Sequence, residues 1–181
     1  MPKIDETIPF KPVNIAIMTV SDSRTPDNDK SGDILISKLK EAGHNLTGRA
    51  IIKDEIPAIQ GQLKIWIKDD TVDIVISTGG TGVTGRDVTP EAFMGIYEKE
   101  IQGFGELFRM QSFKTIGTST IQSRATAGVA GGTYLFALPG SPGACKDGWD
   151  MILKDQLDIR FKPCNFVEMM PRLNEHLPQS S

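Results

Sequence analysis

The chain has 181 residues, of which 39% are hydrophobic, 24% charged and 7% aromatic, and this composition excludes a disordered or collagen-like protein. A chain of this length can bury one sizeable core but is too short for two ordinary domains, so we expect a single domain over residues 1–181. The net charge of −3 argues against an electrostatic nucleic-acid binder, although local dipoles can still hold a small anion.

Membrane, disulfide and zinc architectures are also disfavoured. No apolar run reaches the roughly 18–20 residues that span a bilayer, and Asp5 and Glu6 stand where a signal peptide needs an apolar core. We therefore expect a cytoplasmic protein with no membrane partner. The two cysteines, Cys145 and Cys164, form no CxxC pair, so we expect thiols rather than a disulfide scaffold or a structural zinc site.

The first half of the chain alternates strand-like and helix-like segments. Apolar runs predict strands over residues 13–20, 46–53 and 72–78, and apolar positions at helical spacing predict helices over 31–43 and 56–68. Strands that alternate with helices form βαβ units, in which neighbouring strands are parallel. The sequence therefore predicts an α/β fold with a mostly parallel sheet and helices on both faces.

Two further helices are predicted after the third strand. Thr89 and Pro90 indicate a helix start, because threonine is a good N-cap residue and proline a good first helical residue. Residues 101–113 form a second helical segment with one apolar face, which predicts a core helix or a subunit contact. The side chains of that face are Phe104, Leu107 and Phe108.

The last predicted elements are a hairpin and a helix. Strand-like residues 125–130 and 133–138 flank Gly131-Gly132, a pair typical of a tight hairpin turn at the end of the sheet. A final helix is predicted over about residues 144–157. The tail from Asp158 onward has little periodicity, and we expect it to run over the surface or onto a neighbouring subunit.

We expect residues 1–11 and 168–181 to be peripheral to the domain.

A glycine-dense segment follows the third predicted strand. Four of the seven residues from 79 to 85 are glycine, and glycine loses more backbone entropy on folding than any other residue, so this loop needs a bare backbone. A strand that leads through such a loop into a helix places several backbone N–H groups at the carboxyl edge of a parallel sheet. Those donors predict a site for a phosphate or a carboxylate.

This loop has three other possible interpretations. Residues 80–85 fit the GxGxxG pattern of nicotinamide- or flavin-binding folds, but Arg86, Asp87 and Val88 separate the motif from the helix, and no acidic residue ends a following strand. The Walker pattern fails because Arg86-Asp87 stand where lysine and serine or threonine are required. A tight connection without a ligand needs fewer glycines than this loop contains.

Two aspartates are predicted at the same edge of the sheet. Asp87 lies between the glycines and the helix, and it is left free if Thr89 is the N-cap. Asp54 ends the second strand, where its alternative role would be to cap the helix that contains Pro57. Acidic side chains would repel a phosphate unless a divalent cation lies between them, and Mg²⁺ is held by one or two carboxylates plus substrate phosphates. The aspartates therefore predict Mg²⁺.

Other polar residues are expected at this edge. Ser21 follows the first strand, and Gly140 and Ser141 precede the last helix. Hydroxyl groups in such turns often bond the local backbone, so we give Ser21 and Ser141 less weight than the aspartates. Arg86 could contact a phosphate or be solvated.

Five segments resemble the MoaB/MogA family of molybdenum-cofactor biosynthesis proteins. They are IAIMTVSDSR at 15–24, STGGTGVTGRDVTPEA at 77–92, GFGELFRMQS at 103–112, GTSTIQSRATAG at 117–128 and ALPGSP at 137–142. The resemblance covers about residues 10–167, and the segments at 117–124 and 163–166 look closer to the MoaB branch.

The resemblance implies a three-layer α/β/α fold, a trimer or hexamer of identical chains, and Mg-ATP-dependent adenylylation of molybdopterin. The family's two aspartates align with Asp54 and Asp87, which would be catalytic and hold Mg²⁺. Its phosphate loop aligns with Thr78, Gly79, Gly80, Thr81 and Gly82. ATP would be the co-substrate.

Two alternatives stay open beside the adenylyltransferase. Some MoaB-branch proteins lack one or both aspartates and are thought to bind the pterin without turnover, so the chain could be a molybdopterin carrier. The GxGxxG pattern leaves a nicotinamide-dependent enzyme as a third hypothesis. The choice between molybdenum and tungsten cannot be read from these residues.

Overall fold

A six-stranded mixed sheet forms the centre of the molecule. The computed structural model describes residues 3–176 and orders the sheet β3-β2-β4-β7-β6-β5. A separate two-stranded sheet pairs β1 with β8. The strands are β1 (Lys3–Ile4), β2 (Asn14–Val20), β3 (Asn45–Ile52), β4 (Ile74–Thr78), β5 (Lys99–Glu100), β6 (Thr126–Ala130), β7 (Thr133–Leu138) and β8 (Phe161–Lys162).

Helices cover both faces of the large sheet. They are α1 (Lys30–Glu41), α2 (Ile56–Ile67), α3 (Thr89–Met94), α4 (Gln102–Ile116), α5 (Pro142–Gly148), α6 (Lys154–Gln156) and α7 (Phe166–Met169). Short 3₁₀ segments lie at Gly117–Gln122 and Met170–Arg172, and a π-helical turn at Trp149–Leu153 joins α5 to α6. None of the helices within residues 3–176 is long and apolar enough to cross a membrane.

The predicted α/β fold with a mostly parallel sheet is confirmed. Strands β3, β2, β4 and β7 run parallel to one another, whereas β6 pairs antiparallel with both β7 and β5. The predicted hairpin is therefore present as β6 and β7, with positive φ angles at Gly131 and Gly132. It is not at the end of the sheet, however, because β7 lies beside β4 and β5 forms the edge.

Strand β2 is buried on both faces, which explains its nearly unbroken apolar sequence. Ile15 and Ile17 point into the core under α1, α4 and α5, whereas Ala16 and Met18 point into the core under α2 and α3. All four side chains are fully buried. Because β2, β4 and β7 are parallel, their carboxyl ends lie at the same edge of the sheet, between the two helical layers.

The apolar face of α4 belongs to the core and is not available for a subunit contact. Phe104 and Phe108 are 3% and 2% exposed, and Leu107 packs against them. The ring of Phe104 lies 5.1 Å from that of Phe136 on β7. Of the two roles predicted for this face, the core role is confirmed and the subunit contact is wrong, because these side chains are buried against the sheet.

The C-terminal segment holds more structure than its sequence indicates. The predicted last helix is present as α5, the π-helical turn and α6, and beyond it α7 places Phe166 against Tyr134, with a centroid distance of 4.9 Å. Within the segment expected to be peripheral, Met170 and Leu173 pack against the core. Residues 177–181 of that segment lie outside the described residues.

Asp29 ties α1 to β2 and β3. Its carboxylate caps α1 by accepting from the Gly32 N–H at 3.0 Å, and it also accepts from the Thr19 hydroxyl at 2.7 Å and from Arg49 at 3.0 Å. Asp29 is 1% exposed. Arg49 makes a second ion pair with Asp33, whose side chain is 57% exposed.

We expect Asp29→Ala to lower the free energy of unfolding by about 2–4 kcal/mol, because it removes a helix cap and leaves a buried hydroxyl without its acceptor. Urea denaturation would measure this loss. Asp33→Ala is the matched control, since it removes the exposed partner of the same arginine, and we expect less than about 1 kcal/mol. Equal losses in the two variants would contradict the buried role of Asp29.

Candidate functional site

The glycine loop lies at the carboxyl edge of β2, β4 and β7, where backbone packs directly on backbone. Gly79 and Gly80 follow β4 with φ angles of +105° and +63°. A Cβ atom on Gly79 would collide with the Val20 carbonyl oxygen, and one on Gly140 would lie 3.1 Å from the Gly79 Cα. Close approach of three strand ends therefore accounts for part of the glycine content that we attributed to a ligand.

Thr89 fastens this loop to helix α3. Its hydroxyl donates to the Gly79 carbonyl at 2.8 Å, and its N–H donates to the Gly80 carbonyl at 2.9 Å. The predicted N-cap role of Thr89 is wrong, because the N-cap position is Val88 and no side chain caps the helix. The Thr89 hydroxyl is used to fix the positive-φ glycines instead.

Asp87 is not the free carboxylate that the sequence indicated. Its Oδ2 atom accepts from the Thr84 N–H at 2.9 Å and from the Thr84 hydroxyl at 2.6 Å. Burial by itself would raise the pKa of this carboxyl, but the hydrogen bonds from Thr84 and the Gly82 N–H, together with the charge of Arg124, lower the pKa below its ordinary value. Asp87 is thus an ionised side chain that braces the loop.

Asp54 lies on the other side of the loop, in a different electrostatic setting. It does not cap α2, whose N-cap is Glu55. A Cβ atom on Gly80 would lie 3.0 Å from the Asp54 Oδ1. Burial first, and then the negative charge of Asp22, raise the pKa of Asp54, with a minor contribution from Asp87, whereas a hydrogen bond from the Asp22 N–H and the charge of Arg86 oppose the rise.

Arg86 links the loop after β4 to the loop after β2. Its guanidinium donates two hydrogen bonds to the Asp22 carboxylate, at 2.9 and 2.8 Å. Asp22 in turn accepts from the Asp54 N–H at 3.3 Å. Arg86 is therefore already paired with a carboxylate and is not poised as an independent phosphate ligand.

Two adjoining hollows flank the glycine loop, and Gly80 and Gly140 line both. The first has a volume of about 400 Å³ and contains Asp87, and the second has about 260 Å³ and contains Asp54. The two aspartates thus open onto neighbouring hollows on either side of one loop, not onto a single crevice.

All ten predicted site residues line one or both of these hollows. The first is lined by Gly80, Thr81, Gly82, Asp87, Gly140 and Ser141, and the second by Ser21, Asp54, Thr78, Gly79, Gly80 and Gly140.

Several hydroxyl groups at the site are engaged within the fold. Thr78 donates to the Pro139 carbonyl at 2.9 Å, Ser141 caps α5 through the Ala144 N–H, and Ser21 accepts from two backbone N–H groups of its own turn. These bonds hold the loops at the strand ends in place. The larger hollow also has an apolar wall that contains Phe108 and Ile116.

Sequence reasoning missed Arg124 as a part of the site. Its guanidinium donates to the Gly82 carbonyl at 2.7 Å and to the Asp87 carbonyl at 2.7 Å, and it pairs with Glu91. The residues that it joins are more than thirty positions away in the chain, so no local spacing could reveal the contact. Asp29 was missed as well, although it lines the second hollow.

The donor set at the loop suits a hard cation only in combination with a substrate. Within residues 3–176 no group of three or more acidic, histidine or cysteine side chains is arranged to hold a metal. Asp54 and Asp87 supply two carboxylates, and Mg²⁺ is commonly held by one or two carboxylates plus substrate phosphates. The residues present therefore fit Mg²⁺ that arrives with a phosphate ligand, and they do not fit a metal caged by protein alone.

The geometry departs from the dinucleotide-binding pattern. In that pattern the helix begins inside the glycine motif. Here a turn, closed by the Asp87 N–H and the Thr84 carbonyl at 3.0 Å, separates the glycines from α3. This arrangement gives the nicotinamide hypothesis no support.

Most of the chain, including both hollows' glycine loop, matches one protein family. Residues 16–159 match the family described as "Probable molybdopterin binding domain". The chain is 50% identical over 157 residues to molybdenum cofactor biosynthesis protein B of Escherichia coli K12, covering 87% of this chain and 92% of that protein.

Solved structures agree with this match. A crystal structure of molybdenum cofactor biosynthesis protein B superposes with a TM-score of 0.82 at 40% identity, covering 91% of this chain and 98% of that one. The tungsten cofactor synthesizing protein MoaB from Pyrococcus furiosus gives a TM-score of 0.72 at 35% identity, with 80% and 92% covered.

The raised pKa of Asp54 predicts a pH-dependent gain in stability when its charge is removed. The folded protein binds a proton at Asp54 more tightly than the unfolded chain does, so the ionised carboxylate destabilises the fold above that pKa. In EDTA, Asp54→Asn should melt at a higher temperature than the wild type at pH 7, and this advantage should fade as the pH falls toward about 4.

Thermal denaturation across this pH range would measure the effect, and Glu55→Gln is the matched control at the neighbouring exposed carboxylate. A melting temperature of Asp54→Asn below that of the wild type at pH 7 would contradict the electrostatic description of Asp54.

Proposed function

This chain belongs to the family of probable molybdopterin binding domains, and from that premise we propose that it adenylylates molybdopterin with Mg-ATP in molybdenum cofactor biosynthesis. In this reaction the terminal phosphate oxygen of molybdopterin attacks the α-phosphorus of ATP, and pyrophosphate leaves. We place the reaction in the cytoplasm. The observation that carries the proposal is the presence of Asp54 and Asp87 in the two adjoining hollows that flank the glycine loop.

The arrangement suits the transfer of a nucleotidyl group. Such reactions depend mainly on positioning and on neutralising phosphate charge, and they need few covalent roles from the protein. Two hollows that meet at Gly80 and Gly140 offer space for two substrates whose phosphates meet at the loop. The backbone of Thr78–Gly82 would hold the phosphates, with Ser21 and Ser141 at the rims.

The two aspartates have different roles in this proposal. Asp87 is kept ionised by Thr84, so it would be the main Mg²⁺ ligand, held in a fixed orientation. Burial and the charge of Asp22 raise the pKa of Asp54, so it would be a second ligand or would orient the attacking phosphate. The two carboxylates would hold Mg²⁺ together with the phosphates, and the ion would supply neutralisation of phosphate charge.

One observation favours a second candidate, a molybdopterin carrier without turnover. The Asp87 carboxylate is engaged by the Thr84 N–H and hydroxyl, which is a bracing role that a binding protein would also need. Both candidates draw on the same loop and hollows. They differ in whether ATP and Mg²⁺ are used.

A direct assay separates the two candidates. Purified protein is incubated with molybdopterin, ATP and Mg²⁺, and mass spectrometry detects adenylylated molybdopterin while a coupled assay detects pyrophosphate. The adenylyltransferase yields both products. Wild-type protein that binds molybdopterin but releases no pyrophosphate would establish the carrier instead.

We expect Asp87→Asn to keep the fold and molybdopterin binding but to lose adenylyl transfer by at least about a hundredfold, the scale for loss of one charge-stabilising group. Asparagine can still accept from Thr84, so the loop keeps its brace while the charge is lost.

Asp69→Asn is a matched control for Asp87→Asn. Asp69 accepts from the Thr71 N–H at 2.9 Å and hydroxyl at 2.6 Å, the same pair of bonds in a turn that lines neither hollow of the site. Turnover by Asp87→Asn at the level of Asp69→Asn would refute the proposed role of the charge.

We also propose that the protein is a homo-oligomer, a trimer or hexamer. Exposed apolar side chains lie on and around α4 and the 3₁₀ turn that follows it, and their contact with water favours burial against another chain. They are Met94 (49% exposed), Met110 (56%), Phe113 (56%), Ile116 (52%) and Ile121 (81%). Met94 and Ile121 line one hollow of about 560 Å³ between α3 and α4.

In sedimentation experiments we expect Ile121→Asp to shift the wild-type oligomer toward the monomer, because a charge would be buried in the contact. Ile65→Asp is the control, since Ile65 is 63% exposed on α2, which packs on the opposite face of the sheet. A monomeric wild type would remove the proposal.

A further inference from the structure

Arg124 makes three hydrogen bonds to backbone carbonyls of the glycine loop and the turn that follows it. Its Nε donates to the Gly82 carbonyl, its Nη2 to the Asp87 carbonyl, and its own backbone N–H donates to the Thr81 carbonyl at 3.0 Å. Arg124 lies two residues before β6, so these bonds attach residues 81–87 to the sheet.

We infer that Arg124 is a positioning residue, which sets the orientation of the loop amides and of the Asp87 carboxylate toward the phosphate ligand. This inference rests on the proposed function, because the ligand of the loop belongs to it. Arg124 does not itself need to touch the ligand. It acts through the peptide groups that it holds.

The planar peptide bond carries this effect from Arg124 to the ligand side. The carbonyl of one residue and the N–H of the next point in opposite directions. Bonds to the Thr81 and Gly82 carbonyls therefore turn the N–H groups of Gly82 and Val83 away from Arg124. The Gly82 N–H in turn helps to lower the pKa of Asp87, so the loop backbone and the carboxylate are oriented together.

The charge of Arg124 is matched inside the protein. Arg124 pairs with Glu91 on α3, and the hydrogen bond from Arg124 is the main cause that lowers the pKa of Glu91. A guanidinium with its charge paired and two of its nitrogens on carbonyls is suited to holding backbone in place. Lysine could keep the charge, but it lacks the planar fork that reaches several acceptors at once.

Arg109 provides a matched control on the same side of the loop. It is half-buried on α4 and lines the hollow of about 560 Å³ together with Arg124. Among residues 3–176, its guanidinium makes one long hydrogen bond, at 3.5 Å, to the Ala125 carbonyl, and none to the glycine loop. Replacing Arg109 removes an arginine of similar burial without releasing the loop.

The test combines hydrogen–deuterium exchange of residues 79–88 with steady-state kinetics of Arg124→Lys, Arg124→Ala and Arg109→Ala. In both Arg124 variants we expect exchange in this segment to rise on the order of tenfold while exchange in β2 and β7 is unchanged. We expect kcat to fall about a hundredfold, the scale for a misplacement of about 1 Å, with the KM for molybdopterin changed by less than about threefold. Added guanidinium ion should restore part of the kcat of Arg124→Ala and none in Arg109→Ala.

The outcomes are distinguishable from failure of the proposed function. If the wild-type protein does not transfer an adenylyl group, the proposed function is refuted. Hydrogen–deuterium exchange needs no substrate, so exchange and molybdopterin affinity would still test the role of Arg124. The inference would be overturned if residues 79–88 of Arg124→Lys exchanged at the same rate as in the wild-type protein. It would also be overturned if kcat fell only in proportion to the unfolded fraction of the variants.

Discussion

The site depends on the close backbone packing of three strand ends at one edge of the sheet. Gly79 lies against the Val20 carbonyl at the end of β2, and Gly140 lies against the Gly79 Cα, so no side chain fits between β2, β4 and the segment after β7. This packing brings the two hollows together at Gly80 and Gly140. Because parallel strands share a direction, all three loops open at the same edge, which is where open α/β sheets bind ligands.

The two aspartates that flank the loop are electrostatically different, and the difference comes from their donors. Asp87 receives hydrogen bonds from Thr84 and has a lowered pKa, whereas burial and the charges of Asp22 and Asp87 raise the pKa of Asp54. One carboxylate is stable as an anion in the folded protein, and the other is stabilised by a proton or a cation. A site in which both carboxylates were braced would have less need of an added cation.

Much of the fold could be predicted from sequence, because buried parallel strands and the Gly131-Gly132 turn leave local patterns. Asp54 and Asp87 could likewise be assigned to one edge from their positions after predicted strands. The contacts of Arg124 and the pairing of Arg86 with Asp22 could not, since they join residues 37 and 64 positions apart through single side chains. The hydroxyl of Thr89 was misassigned because a residue that suits an N-cap also suits a bond to a loop carbonyl.

The carboxylates at this edge of the sheet are better evidence for function than the number of glycines. Gly79, Gly80 and Gly140 are required by backbone geometry and packing, so their number alone is no measure of anion binding. At the same edge Asp22, Asp54 and Asp87 are acidic, and three nearby arginines are already engaged: Arg86 is paired with Asp22, Arg24 donates to the Asn28 carbonyl, and Arg124 is paired with Glu91. In the proposed function a divalent cation bound with the phosphate would supply positive charge that these engaged side chains do not offer.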